Sequence, residues 1–246
     1  MLIPDREANK ETRHVNQTTT NKKGKIKMKN NADLQKDVQD AIKWEPLLNA
    51  AEIGVIVKDG VVTLTGTVDS YSKKSEAEYA AKNVAGVKAV VEKIEVKFSS
   101  VWAKKDDNEI ATEVLNALKW NWQIPKDKVK VKVEDGWVTL EGTLEWNFQK
   151  ETANNAVRNL LGVTGVSNNI TIKSEIEDQI EEKDIKSALR RNWATNDKDI
   201  TVKVRGHKVT LSGTVDSWYQ KDEAGRMGWN APGVREIDNQ VVVNYA

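Results

Sequence analysis

Three stretches of this chain align without a gap: DGVVTLTGTVDS from Asp59, DGWVTLEGTLEW from Asp135 and GHKVTLSGTVDS from Gly206. They begin 76 and then 71 residues apart. The same offsets superpose Ala41, Ala117 and Ala188 upstream, and Gly86-Val87, Gly162-Val163 and Gly233-Val234 downstream. A register held over about 60 residues in three copies is the signature of a repeated structural unit. Whatever the first copy folds into, the chain must build it three times.

Each copy decodes into the same order of elements. Leu34, Val38, Ala41 and Ile42, matched by Ile110, Val114, Ala117 and Leu118, form a stripe at helical spacing. The third copy keeps Ile185, Ala188 and Leu189 but has Glu181 in the first position, which predicts a later start. Alternation follows: Ile53, Val55 and Val57; Val129, Val131 and Val133; Ile200, Val202 and Val204 point inward on a strand with one wet face. Asp59-Gly60 and Asp135-Gly136 predict type I′ hairpin turns, and Gly206-His207 predicts type II′. The returning strand carries Val62, Leu64 and Val68 inward, and its copies behave alike. Gly66, Gly142 and Gly213 lie on that inward face, where glycine marks a bulge or a close approach, here expected from the following helix.

A second helix opens near Asp69-Ser70 or Asp216-Ser217 and ends at Gly86, Gly162 or Gly233. Gly225, Gly228 and Pro232 predict a weaker version in the third copy. Val90, Ile94 and Val96, with their counterparts, close the unit as a third strand. The fold class is therefore α+β: three tandem αββαβ modules, each a three-stranded mixed sheet with two helices on one face. The expected division is a disordered basic tail over 1–30, then modules over 31–99, 107–174 and 181–246. Linkers fall near Ser99–Asp106 and Ser174–Glu181, and Trp-rich seams are expected to dock the modules.

The V-x-L-x-G strand, second helix and closing G-V-x-x-V strand resemble the BON domain. The matching residues are Val62-Thr63-Leu64-Thr65-Gly66, Val138-Thr139-Leu140-Glu141-Gly142 and Val209-Thr210-Leu211-Ser212-Gly213, then the three Gly-Val pairs. Asn168 and Asn239 in the last strand also match, whereas the first copy has Glu92. The resemblance covers nearly everything after the tail, and a multi-BON chain is similar to the osmotically inducible, OsmY-type proteins. It implies a bacterial, stress-related, non-enzymatic protein of the envelope that engages phospholipid. The matching residues are architectural, and such residues transfer fold better than function.

Little in the chain points to catalysis. There is no cysteine, and the two histidines, His14 and His207, fall in the tail and a turn. Neither a nucleophile elbow nor a P-loop is present. Asp69, Glu145 and Asp216 recur in register, but helix capping accounts for them. No metal site, cofactor or enzyme activity is expected. A net charge of +1 gives no bulk pull toward nucleic acid, which is not an expected partner. No run of about 18 apolar residues is present to span a bilayer. The first 30 residues carry eight Lys or Arg against three acids and lack an export signal's apolar run, which reads as cytoplasmic; the resemblance implies the periplasm instead. Residues 1–27 stand in question as part of the native protein, since Met28 is a second candidate start.

Binding is expected on surfaces that helices do not cover. Trp137 sits on the outer face of the second copy's returning strand, with Lys130 and Lys132 on the strand before it. Trp146, Phe148, Trp218 and Tyr219 gather at second-helix starts. Trp120 and Trp122 add to the amphipathic character of the second copy. Two partners fit: a peripheral phospholipid surface, with aromatics at headgroup depth and Lys on phosphate, or a protein partner that buries the same rings.

Overall fold

The structure, a computed structural model, describes residues 30–98, 105–173, 180–195 and 199–244. Residues 1–29 of the expected tail lie outside these residues, as does most of each expected linker, while Asn30 caps the first helix. The elements of the first module are α1 (Asn31–Lys43), a single 3-10 turn (Ala50–Glu52), β1 (Ile53–Lys58), β2 (Val61–Val68), α2 (Tyr71–Lys82) and β3 (Ala89–Val96). The second has α3 (Asp107–Trp120), β4 (Val129–Glu134), β5 (Trp137–Leu144), α4 (Asn147–Arg158) and β6 (Gly165–Ile172). The third has α5 (Glu182–Arg191), β7 (Ile200–Arg205), β8 (Lys208–Val215), α6 (Trp218–Trp229) and a last strand split into β9 (Glu236–Asn239) and β10 (Val242–Val243).

Each sheet has the returning strand at its centre. It pairs antiparallel with the strand before it and parallel with the one after the second helix, as in β1-β2-β3 and β4-β5-β6. Inward residues alternate with outward ones, so each helix pair closes over one face and builds its own core. Val62, Leu64, Val38 and Ala77 belong to the first core, Val138, Leu140, Val114 and Ala153 to the second, and Val209, Leu211, Ile185 and Ala224 to the third. These three clusters are separate. Tyr71 of the first module packs against the second cluster, and Arg158 bridges to Glu76 at 3.2 Å. Among the described residues these contacts use tyrosine and charge, and Trp229 of the third module lines a cleft together with Tyr79 of the first and Glu151 of the second.

The hairpins turn as their residues require. Asp59 and Gly60 have φ of 53° and 84°, Asp135 and Gly136 of 50° and 76°, and Gly206 alone is positive in its turn, at 58°. The first helix clamps the hairpin: both Asp107 carboxylate oxygens accept from the backbone, Asp135 N and Gly136 N, each at 2.9 Å. In the first module Asn31 accepts only one such bond, from Asp59 N. Asp107→Ala removes two charge-assisted bonds and should cost roughly 2 kcal/mol, against ~1 kcal/mol for Asn31→Ala. Urea melts of the two variants check the difference; equal costs would mean the clamp contributes nothing beyond helix capping.

Three details depart from the sequence expectation. Gly66, Gly142 and Gly213 are approached by backbone from the segment before the first strand, not by the helix. An added Cβ would lie 2.0–2.1 Å from the carbonyl oxygens of Glu52, Lys128 and Asp199. Next, α6 keeps twelve residues, the length of α2 and α4, despite Gly225 and Gly228. Both glycines are buried, and a Cβ on Gly228 would meet Ile237 at 2.9 Å, so they let the last strand approach closely. Finally, the last strand is tied to the second helix in two chemistries. Asn168 donates to Lys150 O and Asn239 to Lys221 O, while each accepts from the backbone N–H two residues on. Glu92 cannot donate; in its module Lys74 supplies the link, pairing with Glu92 at 2.8 Å and donating to Ile94 O.

Candidate functional site

Each first helix ends in basic residues, where the macrodipole favours cations: Lys43 in α1, Lys119 in α3, Arg190 and Arg191 in α5. Tryptophan follows at once. Trp44 caps α1, Trp120 is the last residue of α3 and Trp122 lies two beyond it, and Trp193 lies two beyond α5. Their exposures are 83%, 82%, 90% and 75%, and no other large apolar side chain among the described residues reaches these values. Indole rings this open to water are the anomaly of the molecule.

The backbone that carries them is fixed. The Asn121 side chain accepts from Gln123 N at 3.0 Å, and that of Asn192 from Ala194 N at 2.9 Å, closing side-chain turns around Trp122 and Trp193. The chain then dives inward: Ile124, Ala194 and Thr195 are buried, and Thr195 donates to Leu189 O at 2.7 Å. The tip of the second module adds a cavity of about 290 Å³ lined by Leu115, Leu118, Ile124, Pro125 and Val129, with Lys119 and Lys126 contributing charge. The equivalents of Leu115 are Gln39 and Lys186, which makes the apolar wall particular to this copy.

The aromatics singled out from the sequence fall elsewhere. Trp137 is 48% exposed, on the sheet face opposite both helices. Its ring covers Gly165, where any Cβ would lie 2.4 Å away, and its Nε1 donates to Ser167 Oγ at 2.9 Å. It is a plate laid over the sheet. Lys130 and Lys132 are exposed beside it, and Lys132 pairs with Glu134. Trp146 is half-buried at the N-cap of α4, and Phe148 is 50% exposed. Trp218 packs on the third core with Lys221 over its ring at 5.3 Å. Tyr219 stacks on Trp193 at 5.6 Å and lines a cleft of about 540 Å³ shared with Tyr79, Asn147, Glu151 and Asp222. Burial in this cleft pushes both the Tyr219 phenol and the Asp222 carboxyl up, with Lys82 and Lys221 opposing it at Asp222. Trp137 and the second-helix aromatics therefore do not share a surface.

Sequence reading gave Trp120 and Trp122 but missed Trp44 and Trp193. The signal was present: the 76-residue offset pairs Trp44 with Trp120, and the 71-residue offset pairs Trp122 with Trp193. Among the described residues no group of three or more His, Cys, Asp or Glu is placed to hold a metal, and no helix is long and apolar enough to cross a membrane.

A family model of the BON domain matches residues 30–97, 106–174 and 177–245. The Osmotically-inducible protein Y of Escherichia coli (strain K12) is 33% identical over 129 residues, covering 51% of this chain and 64% of that protein. The match thus spans just under two thirds of that relative's length. Among solved structures, CdsD, a structural protein of the type III secretion system of Chlamydia trachomatis, aligns at 19% identity over 86% of this chain and 92% of that one, with a TM-score of 0.23. Its C-terminal domain aligns at 18% identity over 86% and 98% of the respective chains, again at a TM-score of 0.23.

Proposed function

Since the chain belongs to the BON-domain family and carries that domain three times, we propose that it is a non-enzymatic protein that docks peripherally on anionic phospholipid through the tips of its first helices. The observation that carries this is the placement of Trp44, Trp120, Trp122 and Trp193, exposed in water at the ends of the first helices, whose last turns carry Lys or Arg, with Trp122 and Trp193 on pinned turns. Indole is favoured at headgroup depth, where its apolar ring is sheltered and its N–H stays hydrogen-bonded. Each nearby cation adds about 1 kcal/mol on an anionic surface. Three weak tips on one chain act together, which multiplies affinity when they engage one membrane.

The similarity to an osmotically inducible protein supports a role in a stress response at the bacterial envelope, and on this reading the chain works in the periplasm and not the cytoplasm. Co-sedimentation with vesicles tests the proposal. The full chain should pellet with vesicles containing anionic phospholipid at low salt, bind several-fold less as salt rises, and leave purely zwitterionic vesicles largely unbound. No pelleting with anionic vesicles at low salt would end the lipid reading. The tips would then serve the second reading, a protein partner, for which the apolar cavity at the second module's tip is the specific feature.

A further inference from the structure

The first strands of the three modules are equivalent sheet edges, and one of them has no charge at its two central outward positions. Strand β4 places Lys130 and Lys132 there, and β7 places Thr201 and Lys203; β1 has Gly54 and Ile56 instead. Ile56 is 61% exposed. The register carries it across the sheet in the row Ile56–Thr63–Val91, with exposed Val61 and Ala89 alongside. The equivalent rows are Lys132–Thr139–Ser167 and Lys203–Thr210–Asp238. Among the described residues no strand pairs with the far edge of β1. Lysine on an edge strand is a common guard against pairing with another chain, and β1 carries one only at its end, Lys58.

We propose that β1 pairs antiparallel with β1 of a second copy of this chain, about a two-fold axis through Val55, joining two first-module sheets into one of six strands. The strand is self-complementary in that register. Gly54 faces Ile56 of the second copy, so each isoleucine lies over a position without a side chain. Lys58, at the end of β1, comes next to Glu52 of the second copy, the last residue of the 3-10 turn that leads into its β1, and the pair occurs twice. Lys58 and Glu52 are exposed, and neither has an ion-pair partner among the described residues; Glu52 accepts only from the Asn49 side chain. The same operation on β4 sets Lys130 directly against Lys132, and like charges opposite one another across strands are destabilising. On β7 it sets Thr201 against Lys203 and offers no apolar contact. The choice of β1 thus follows from three homologous edges compared within one chain.

Two six-residue strands bury less than the roughly 1,200 Å² of a stable interface, so the dimer forms at tens of micromolar, not nanomolar, concentration. Sedimentation velocity of the full chain from about 1 to about 500 µM should show monomer passing into dimer. Ile56→Lys, which installs the guard the other modules carry, should weaken association at least ~10-fold. Glu52→Lys and Lys58→Glu should each weaken it, and the two together should restore it, because the swap regenerates both pairs. All three positions are exposed, so the variants should melt with the parent chain. A chain that stays monomeric at the highest concentration overturns the proposal. So does a dimer indifferent to Ile56→Lys, or a monomer whose β1 edge accepts an extended peptide instead.

Discussion

Gly142→Ala should unfold the second module while the first and third stay folded. The residue sits at φ 147°, a region costing an L side chain about 1–3 kcal/mol. A new Cβ would also stand 2.1 Å from Lys128 O, and that oxygen is backbone at the entry to β4, so it cannot swing aside as a side-chain tip would. Relief requires breaking the β4–β5 pairing where Val129 meets Gly142. Strain and clash together should exceed ~4 kcal/mol, and a module of about 70 residues holds on the order of 5. Hydrogen exchange read residue by residue should lose protection over 107–172 and keep it over 31–96, because the cores are separate clusters. Gly206→Ala is the control: its φ is 58° and nothing lies within 4 Å of the added carbon, so the cost stays near ~1 kcal/mol. Comparable losses at both sites would mean that positive φ alone, and not the carbonyl contact, makes glycine necessary.

Replacing Trp44, Trp120, Trp122 and Trp193 together by Ser should abolish binding to anionic vesicles. An indole of 150–250 Å² that sinks half its surface gains roughly 2 kcal/mol, so each ring is worth about a ten-fold change or somewhat more. Four rings on three tips compound, and the quadruple variant should fall at least ~1,000-fold, below detection by pelleting. Stability should change little, because all four are at least 75% exposed in the unbound chain. Trp137→Ala provides the opposite pattern. It uncovers Gly165 and loses the bond to Ser167, so melting should drop while vesicle affinity stays within about two-fold. If the quadruple variant pellets as well as the parent chain, the tips are not the membrane contact, whatever the vesicles bind.

What could be read from the sequence divides along a physical line. Strands, turns and the three glycine positions were legible because backbone geometry is a local demand. Asp-Gly between two alternating runs calls for a type I′ turn with positive φ at both residues, and an alternating Val-Leu run has one inward face. The inner face of β2, with Val62, Leu64 and Val68, followed directly. Trp44 and Trp193 were not legible in the same way, because they follow the last periodic residue of a helix. Whether a ring there is buried depends on which way the chain turns next, and in the third module the bonds of Asn192 and Thr195 fix the turn around Trp193. In α6, propensity pointed the wrong way: Gly225 and Gly228 cost helix stability locally, but they bring the last strand close enough to pack. Sequence position had likewise grouped Trp137 with Trp146 and Phe148, whereas the sheet separates them onto opposite faces.

That each module closes its own hydrophobic cluster has a consequence for how such a chain changes over time. A core substitution in one repeat acts mainly within its own cluster, so repetition gives the molecule three scaffolds that can differ. The first copy has an uncharged centre on its edge strand and an ionic tie where the others have an amide, the second has an apolar hollow at its tip, and the third has glycines that bring its last strand close. Redundancy of architecture is what frees the three surfaces to specialise.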